Sequence, residues 1–272
     1  MVPWTFAGAA ILAQIAWPLT SGGARVATTQ VVVALFAAAS ISHAWVWRGA
    51  RWAAAYTVIA LTFGLGVEVL GVSTGFPFSA YDYTDVLTPQ VFGVPVLVPL
   101  AWTMMAYPAL LVGRRLTRSW ALAGAGRSAV GGRLAVILVG AYALASWDLF
   151  LDPQMVAENY WVWLSDYPGL PGIPDIPMLN YAGWLLVSVV LMMVLTMLPD
   201  VTTDEGVPAV LYGWTWIGGI VANAVFLGRP AVAVWGGVLM GLVAVPYLWR
   251  VIADYRRPRG SRVQTPAEER RA

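Results

Sequence analysis

The chain has 272 residues, of which 59% are hydrophobic and 11% charged, and its formal net charge is +2. A chain with so few charged residues cannot present a soluble surface in water. We therefore expect an integral membrane protein. Cysteine is absent, which excludes thiol catalysis, disulfides and thiolate metal sites. The single histidine, His43, excludes the multi-histidine metal centres of membrane desaturases and hydroxylases, and the absence of lysine excludes a retinal Schiff base.

Hydropathy predicts eight membrane-spanning helices, each of about 17 to 25 residues, the length that crosses a bilayer. They lie near residues 2 to 19, 26 to 47, 52 to 72, 91 to 113, 134 to 151, 180 to 199, 207 to 227 and 231 to 249. The first lacks a basic flank and a clear cleavage site, so we interpret it as a retained helix and not as a signal peptide. We therefore predict an all-α, polytopic transmembrane bundle formed by one domain, residues 1–255. The basic tail, residues 256–272, is expected to be cytoplasmic and disordered.

Arginine is distributed unequally between the predicted loops. Fourteen of the sixteen arginines lie on one side if both termini are on that side, and only Arg25 and Arg229 lie on the other. Basic residues accumulate on the cytoplasmic side of membrane proteins. We therefore expect a prokaryotic plasma-membrane protein with both termini in the cytoplasm. The basic pI follows from this topology, so nucleic acid is not an expected partner.

Two long connections on the predicted outer side are rich in acidic and aromatic residues and contain no basic residue. They are residues 73–90 and 152–179. Trp161, Trp163 and Tyr167 in the second connection predict an interfacial belt or a short helix lying on the membrane. Proline and glycine interrupt the following run, YPGLPGIPDIP, every few residues, which excludes regular structure there. We expect this run to fold back as a lid.

Acidic residues interrupt two of the predicted spans near their outer ends. Glu68 lies in the third span and Asp148 in the fifth, and Asp152 follows Asp148 by one helical turn. Residues four apart share one helix face, so the two aspartates point the same way if the helix continues to Pro153. An ionisable group at this depth is costly and marks a functional site by default.

The predicted acidic cluster is suited to acid chemistry on an apolar substrate. Desolvated carboxyls crowded by like charges keep a proton near neutral pH, which is what protonation of an unactivated alkene requires. Carboxylate charge and aromatic faces stabilise the resulting tertiary carbocation. The candidate catalytic residues are Glu68, Asp148, Asp152 and Asp82, and the candidate substrate-binding residues are Tyr81, Tyr83, Trp102, Trp147, Asn180 and Trp184.

Structural roles are open alternatives for several of these residues. Glu68 and Asp148 also suit hydrogen bonding between helices, and Asp152 suits a helix end. Asp82 and Asp85 suit solvated loop charges. Asn180 also suits a helix cap, and His43 suits helix packing better than catalysis. Gly64, Gly66 and Gly71 suit close helix approach better than ligand binding.

Two other functions use the same acids. The spacing of Asp148 and Asp152 matches the DxxxD motif by which intramembrane prenyltransferases hold Mg²⁺ on a diphosphate. The acidic loops contain no arginine for a diphosphate, however, and a second aspartate-rich motif is missing. A proton-coupled transporter also uses buried carboxyls, but the chain shows no pair of corresponding halves.

Four segments of the chain resemble the membrane carotenoid hydratases, a family that includes the gamma-carotene 1'-hydratases and the bisanhydrobacterioruberin hydratases. They are residues 68–83 (EVLGVSTGFPFSAYDY), 93–102 (GVPVLVPLAW), 148–153 (DLFLDP) and 173–184 (IPDIPMLNYAGW). The likeness runs in order over roughly residues 50–250.

The resemblance implies cofactor-independent addition of water to the terminal isopropylidene double bond of an acyclic carotenoid, C40 or C50, in the lipid bilayer. We predict Asp148 or Glu68 as the proton donor, with Asp152 and Asp82 as stabilising or water-orienting partners. An acid-catalysed end-group cyclase is an alternative, because it uses the same carboxyls and differs in excluding water from the pocket.

Overall fold

The structure is a computed structural model that describes residues 1–123, 129–165, 167–201 and 204–256. All but the first residue of the predicted basic tail lies outside these ranges. Helices dominate the described residues, which confirms the predicted all-α class. Eight helices are long and apolar enough to cross a membrane, which confirms the predicted polytopic membrane protein.

The described residues form nine α-helices, because a helix satisfies its own backbone hydrogen bonds in lipid. They are α1 (Val2–Ala16), α2 (Gly22–Arg48), α3 (Ala50–Thr74), α4 (Leu97–Ala123), α5 (Ala129–Ala145), α6 (Asp148–Ala157), α7 (Met178–Leu195), α8 (Gly206–Val221) and α9 (Pro230–Arg256). A 3₁₀ turn, Trp17–Leu19, extends α1, and a π-helical turn, Ala222–Phe226, extends α8.

The predicted span 91–113 starts too early, because its first residues form a β-hairpin that precedes α4. Strands β2 (Gln90–Val91) and β3 (Val94–Pro95) pair antiparallel. The two residues between them, Phe92 and Gly93, have φ of 54° and 80°. Two positive φ values in a two-residue turn match the twist of a hairpin. The apolar run therefore begins as a hairpin and becomes helical afterwards.

The fifth span is divided into two helices, α5 and α6. The amide of Trp147 donates to the carbonyl of Leu144, three residues earlier, at 3.2 Å, which is tighter than the α-helical pattern. Asp148 therefore begins a helix instead of lying inside one, and α6 continues past the predicted end at residue 151. Most side chains of α6 are buried, so its acids face protein and not lipid.

Two strands from the long connections pair across the bundle. Strand β1 (Tyr81–Tyr83) lies antiparallel to β4 (Trp161–Trp163), with Tyr81 opposite Trp163 and Tyr83 opposite Trp161. We call this pair the aromatic ribbon. Of the two expectations for Trp161 and Trp163, the short helix is therefore wrong, and the interfacial belt stays a prediction. Side chains alternate along a strand, so Tyr81 points into the protein while Asp82 is exposed.

Helix α4 lies at the centre of the bundle and packs against α2, α3 and α5. Its apolar segment is 78% buried, more than that of any other span in the described residues. Nδ1 of His43 and Oη of Tyr107 lie 2.9 Å apart and link α2 to α4, in agreement with the packing role expected for His43. If each of these eight segments crosses the membrane, the two termini lie on one side and the aromatic ribbon on the other.

Candidate active site

Glu68 accepts three hydrogen bonds inside the bundle. Its Oε2 lies 2.6 Å from the hydroxyl of Tyr81 and 2.8 Å from that of Tyr83. Its Oε1 accepts the indole N–H of Trp102 at 2.9 Å. Hydrogen bonds to an ionised acceptor are the strong ones, and an indole nitrogen only donates. The surroundings of Glu68 therefore suit a carboxylate anion.

The two tyrosines that contact Glu68 stay protonated and therefore remain hydrogen-bond donors. Both lie in the connection between α3 and α4, outside the spans. Burial raises the pKa of Tyr81 and of Tyr83 well above the ordinary phenol value, and the neighbouring Glu68 carboxylate raises both further. Their hydroxyls therefore keep their protons.

Two glycines on the face of α3 that carries the carboxylate make room for its donors. A Cβ at Gly64 would lie 2.9 Å from the side chain of Trp102, and one at Gly71 would lie 2.6 Å from the hydroxyl of Tyr81. A Cβ at Gly66 would meet nothing within 4 Å. The expectation of close approach is therefore right for Gly64 and Gly71 and wrong for Gly66.

Asp148 and Asp152 form a second acidic centre, on one face of α6 as their spacing predicts. Nδ2 of Asn180 donates to Oδ2 of both, at 2.7 Å and 2.5 Å. The indole N–H of Trp161 donates to Oδ1 of Asp152 at 2.6 Å. Oδ1 of Asp148 has no hydrogen-bond partner within the described ranges. Two buried carboxyls thus share one amide donor.

Both acidic centres border one cavity of about 200 Å³. Glu68 and Asp152 line this cavity, whereas Asp148 lies behind the lining. The other walls are mostly apolar and come from α1, α2, α4, α6, α7, α8 and the aromatic ribbon. An apolar cavity with a few converging polar groups is typical of a site for a small or elongated apolar ligand.

Three tryptophans form an aromatic wall beside the acids. Trp102 and Trp184 stack with ring centroids 4.4 Å apart and planes 4° apart. Trp147 meets Trp184 edge to face at 6.1 Å and 87°. All three line the cavity. Aromatic faces attract a cation, so this wall suits a positively charged intermediate.

Arginine is kept away from both acidic centres. No ion pair in the described part of the chain involves Glu68, Asp148 or Asp152. Arg25 is one of the two arginines predicted on the side of the aromatic ribbon. Its guanidinium pairs with Glu158 at 2.6 Å and lies over the ring of Trp17. A buried charge without a counter-ion is costly, so protonation is the available way to neutralise one of the acids.

The structure brings together all of the predicted site residues except Asp82. Those brought together are Glu68, Asp148, Asp152, Tyr81, Tyr83, Trp102, Trp147, Asn180 and Trp184. Asp82 is exposed and does not line the cavity, because strand alternation turns it away from the acids. Trp161 and Trp163 line the cavity and were missed; the alternating patterns YDY and WVW were the available signal. In the described ranges, no three His, Cys, Asp or Glu side chains are arranged to hold a metal ion.

The fold and the cavity define a polytopic membrane protein that encloses an apolar site lined by acids. A family model described as "Carotenoid biosynthesis protein" matches residues 28–246. The chain therefore belongs to the carotenoid biosynthesis protein family, which confirms the resemblance seen in the sequence at the level of family.

One relative carries a specific name. Bisanhydrobacterioruberin hydratase from Haloarcula japonica is 31% identical over 140 residues. The match covers 49% of this chain and 41% of that relative, so it spans less than half of the relative's length. No solved structure gives a significant match.

Proposed function

We propose that this protein is a carotenoid hydratase that adds water across the terminal isopropylidene double bond of an acyclic carotenoid. The observation that carries the proposal is the buried pair of Asp148 and Asp152 at an indole-lined cavity, in a member of the carotenoid biosynthesis family. The name of the Haloarcula japonica relative supports the same reaction class. The reaction needs only the carotenoid and water.

Asp152 is the proposed proton donor, because it lines the cavity and Asp148 does not. Two carboxyls that share the amide of Asn180 repel each other strongly when both are ionised in a low-dielectric site. The pair therefore holds one proton near neutral pH, as other close carboxyl pairs do. Asp148 serves as the like-charged neighbour that keeps this proton available. This assignment differs from the sequence-based one, which favoured Asp148 or Glu68.

The proposed reaction is a balanced addition of water. The alkene π electrons form a C–H bond at the less substituted carbon with the proton of Asp152, and the tertiary carbon becomes the cation. A water oxygen then bonds to that carbon. The resulting oxonium returns a proton to the Asp152 carboxylate, which leaves a tertiary alcohol and restores the acid.

Glu68 is the proposed counter-ion of the carbocation. It faces the same cavity as Asp152 and is held by three donors, so it stays an anion while Asp152 gives up a proton. The faces of Trp102 and Trp184 add cation–π attraction on the apolar side.

The proposed location is a prokaryotic plasma membrane with both termini in the cytoplasm. The unequal distribution of arginine supports this orientation. The acidic centres then lie in the outer half of the membrane, beneath the aromatic ribbon. The connection after the ribbon is the proposed lid.

Expression in a host that makes lycopene or another acyclic carotenoid tests the proposal. We expect pigments that gain the mass of one water for each modified end, and none with Asp152→Asn. A product that is an isomer of unchanged mass would show that the protein catalyses cyclisation and not hydration. Unchanged pigment, with the protein present in the membrane, would refute a carotenoid reaction on this substrate.

A further inference from the structure

A face of small residues on α8 and its extension borders the cavity beside the acidic centres. Thr215, Gly218, Gly219 and Ala222 follow the i, i+3, i+4, i+7 spacing of one helix face, and all four line the cavity. All four are half-buried, whereas the polar lining residues Glu68, Asp152 and Asn180 at the acidic end are buried. The cavity is therefore less covered by protein along this face than at the acids.

Gly218 does not pack against a neighbouring helix, and the ring beside it is that of Trp214, which lies one turn earlier on α8 and also lines the cavity. A Cβ added there would meet only the ring of Trp214, at an ordinary contact distance of 3.4 Å. Gly219 is different, because its Cβ would lie 2.9 Å from the ring of Phe150. Gly219 is thus required for packing against α6, whereas the small size of Gly218 widens the cavity.

The other border of this less covered region is the end of α1. Gln14 and Pro18 line the cavity and are half-buried. On the side of the ribbon, the indole of Trp17 donates to Thr29 at 2.8 Å, and Thr29 lies 3.0 Å from the hydroxyl of Tyr160. This buried network closes the cavity between the end of α1 and α2, so the less covered borders of the cavity belong to α1 and α8.

The cavity is too small for a whole carotenoid. Pockets for drug-sized ligands take about 300 to 1,000 Å³, and this cavity encloses about 200 Å³. It therefore accommodates an end group, and the remaining chain needs a way out. A conjugated chain is flat and stiff, so its path must be straight and shallow. A helix face of small residues spanning about 10 Å, from Thr215 to Ala222, has this shape.

We propose that the polyene shaft of the substrate lies along Thr215, Gly218 and Ala222 and leaves the protein between α1 and α8 into the bilayer. The inference rests on the proposed function and adds a binding site for the conjugated chain. It places the reacting end at Asp152 and keeps the rest of the molecule in lipid.

Two variants that fill the groove test this site against a matched control. Ala222→Trp and Gly218→Leu place bulk in the groove, whereas Val221→Trp places the same bulk on the lipid-exposed face of α8, where Val221 is 45% exposed. Conversion is measured with a long acyclic polyene and with a short acyclic terpenoid that carries the same isopropylidene end. We expect the two groove variants to lower conversion of the polyene by about tenfold or more while conversion of the short compound stays within about twofold.

The outcomes separate this inference from the proposed function. A wild-type protein that converts neither compound refutes the proposed function. Two results would overturn the groove. In the first, Ala222→Trp converts the polyene as well as Val221→Trp does. In the second, Ala222→Trp loses conversion of the polyene and of the short compound to the same extent. If the wild type converts only the polyene, the amount of polyene that co-purifies with each variant is measured instead. Equal amounts on Ala222→Trp and Val221→Trp overturn the groove, and a loss of about tenfold on Ala222→Trp supports it.

Discussion

The indole nitrogen of Trp102 lies 2.9 Å from Oε1 of Glu68, so a residue of the aromatic wall also holds the anionic centre. Trp102→Phe keeps an aromatic ring against Trp184 and removes this donor. A hydrogen bond to a charged group contributes about 1.5 to 3 kcal/mol, so we expect hydration to slow by roughly 10- to 100-fold. The measurement is the rate of tertiary alcohol formation in membranes.

Trp184→Phe is the control for this prediction. It also removes ring area from the aromatic wall. The indole of Trp184, however, makes no hydrogen bond to an acidic residue in the described part of the chain. A loss in Trp184→Phe as large as that in Trp102→Phe would show that ring area matters and the donor does not.

The carboxyls of the cavity are expected to be essential. General acid catalysis contributes about 10²- to 10⁴-fold and electrostatic stabilisation of a transition state about 10²- to 10³-fold, so Asp152→Asn and Glu68→Gln should each reduce product by at least about 100-fold. Asp82→Asn is the matched control and should retain activity, because Asp82 is exposed on the far side of β1. Protein content of the membrane is measured for every variant. Full activity in both cavity variants would show that the site is elsewhere.

Asp148→Asn should change the pH dependence of the reaction. Replacing the like-charged neighbour removes the repulsion between the two carboxyls, so the pair no longer has to share a proton. Asp152 acts only when protonated, so activity should fall near neutral pH and recover in part as the pH is lowered. Asp152→Asn should not recover at any pH. A pH profile of Asp148→Asn that parallels the wild type would contradict the paired-acid mechanism.

The glycines of α3 give a prediction about stability and site geometry. Gly64→Ala and Gly71→Ala force Trp102 and Tyr81 away from the carboxylate, and such overpacking costs about 1 to 3 kcal/mol. We expect lower thermal stability in detergent and slower hydration. Gly66→Ala, which meets open space, should raise or preserve stability. Equal behaviour of the three variants would show that the contacts at residues 64 and 71 are unimportant.

Chelators provide a test that separates hydration from prenyl transfer. The proposed mechanism uses only side-chain acids, so excess EDTA should leave the rate of water addition unchanged. An Mg²⁺-dependent reaction at the Asp148 and Asp152 motif would instead stop, and added Mg²⁺ would restore it.

The sequence was sufficient to predict the spans and the position of the acids. Long apolar runs determine membrane helices almost by themselves, and an acid within such a run is easily recognised. The spacing of Asp148 and Asp152 also predicted their common face, because both lie in one short helix.

Other features depend on contacts between distant segments. Tyr81 faces the site and Asp82 does not because β1 pairs with β4, about 80 residues later, and no local pattern specifies that pairing. The start of α4 was predicted too early because hydropathy does not distinguish the hairpin turn at Phe92 and Gly93 from a helix. Gly218 and Gly219 are adjacent in the sequence, and only their surroundings in the structure distinguish them.

The aromatic ribbon makes the two acidic centres mutually dependent. Tyr83 binds Glu68, Trp161 binds Asp152, and these two aromatic residues are cross-strand partners. A slip of one residue between the strands would turn a whole row of side chains to the opposite surface. Both acids would then lose donors in a single event, so damage to either strand should inactivate the protein as a unit and effects of paired substitutions should not add.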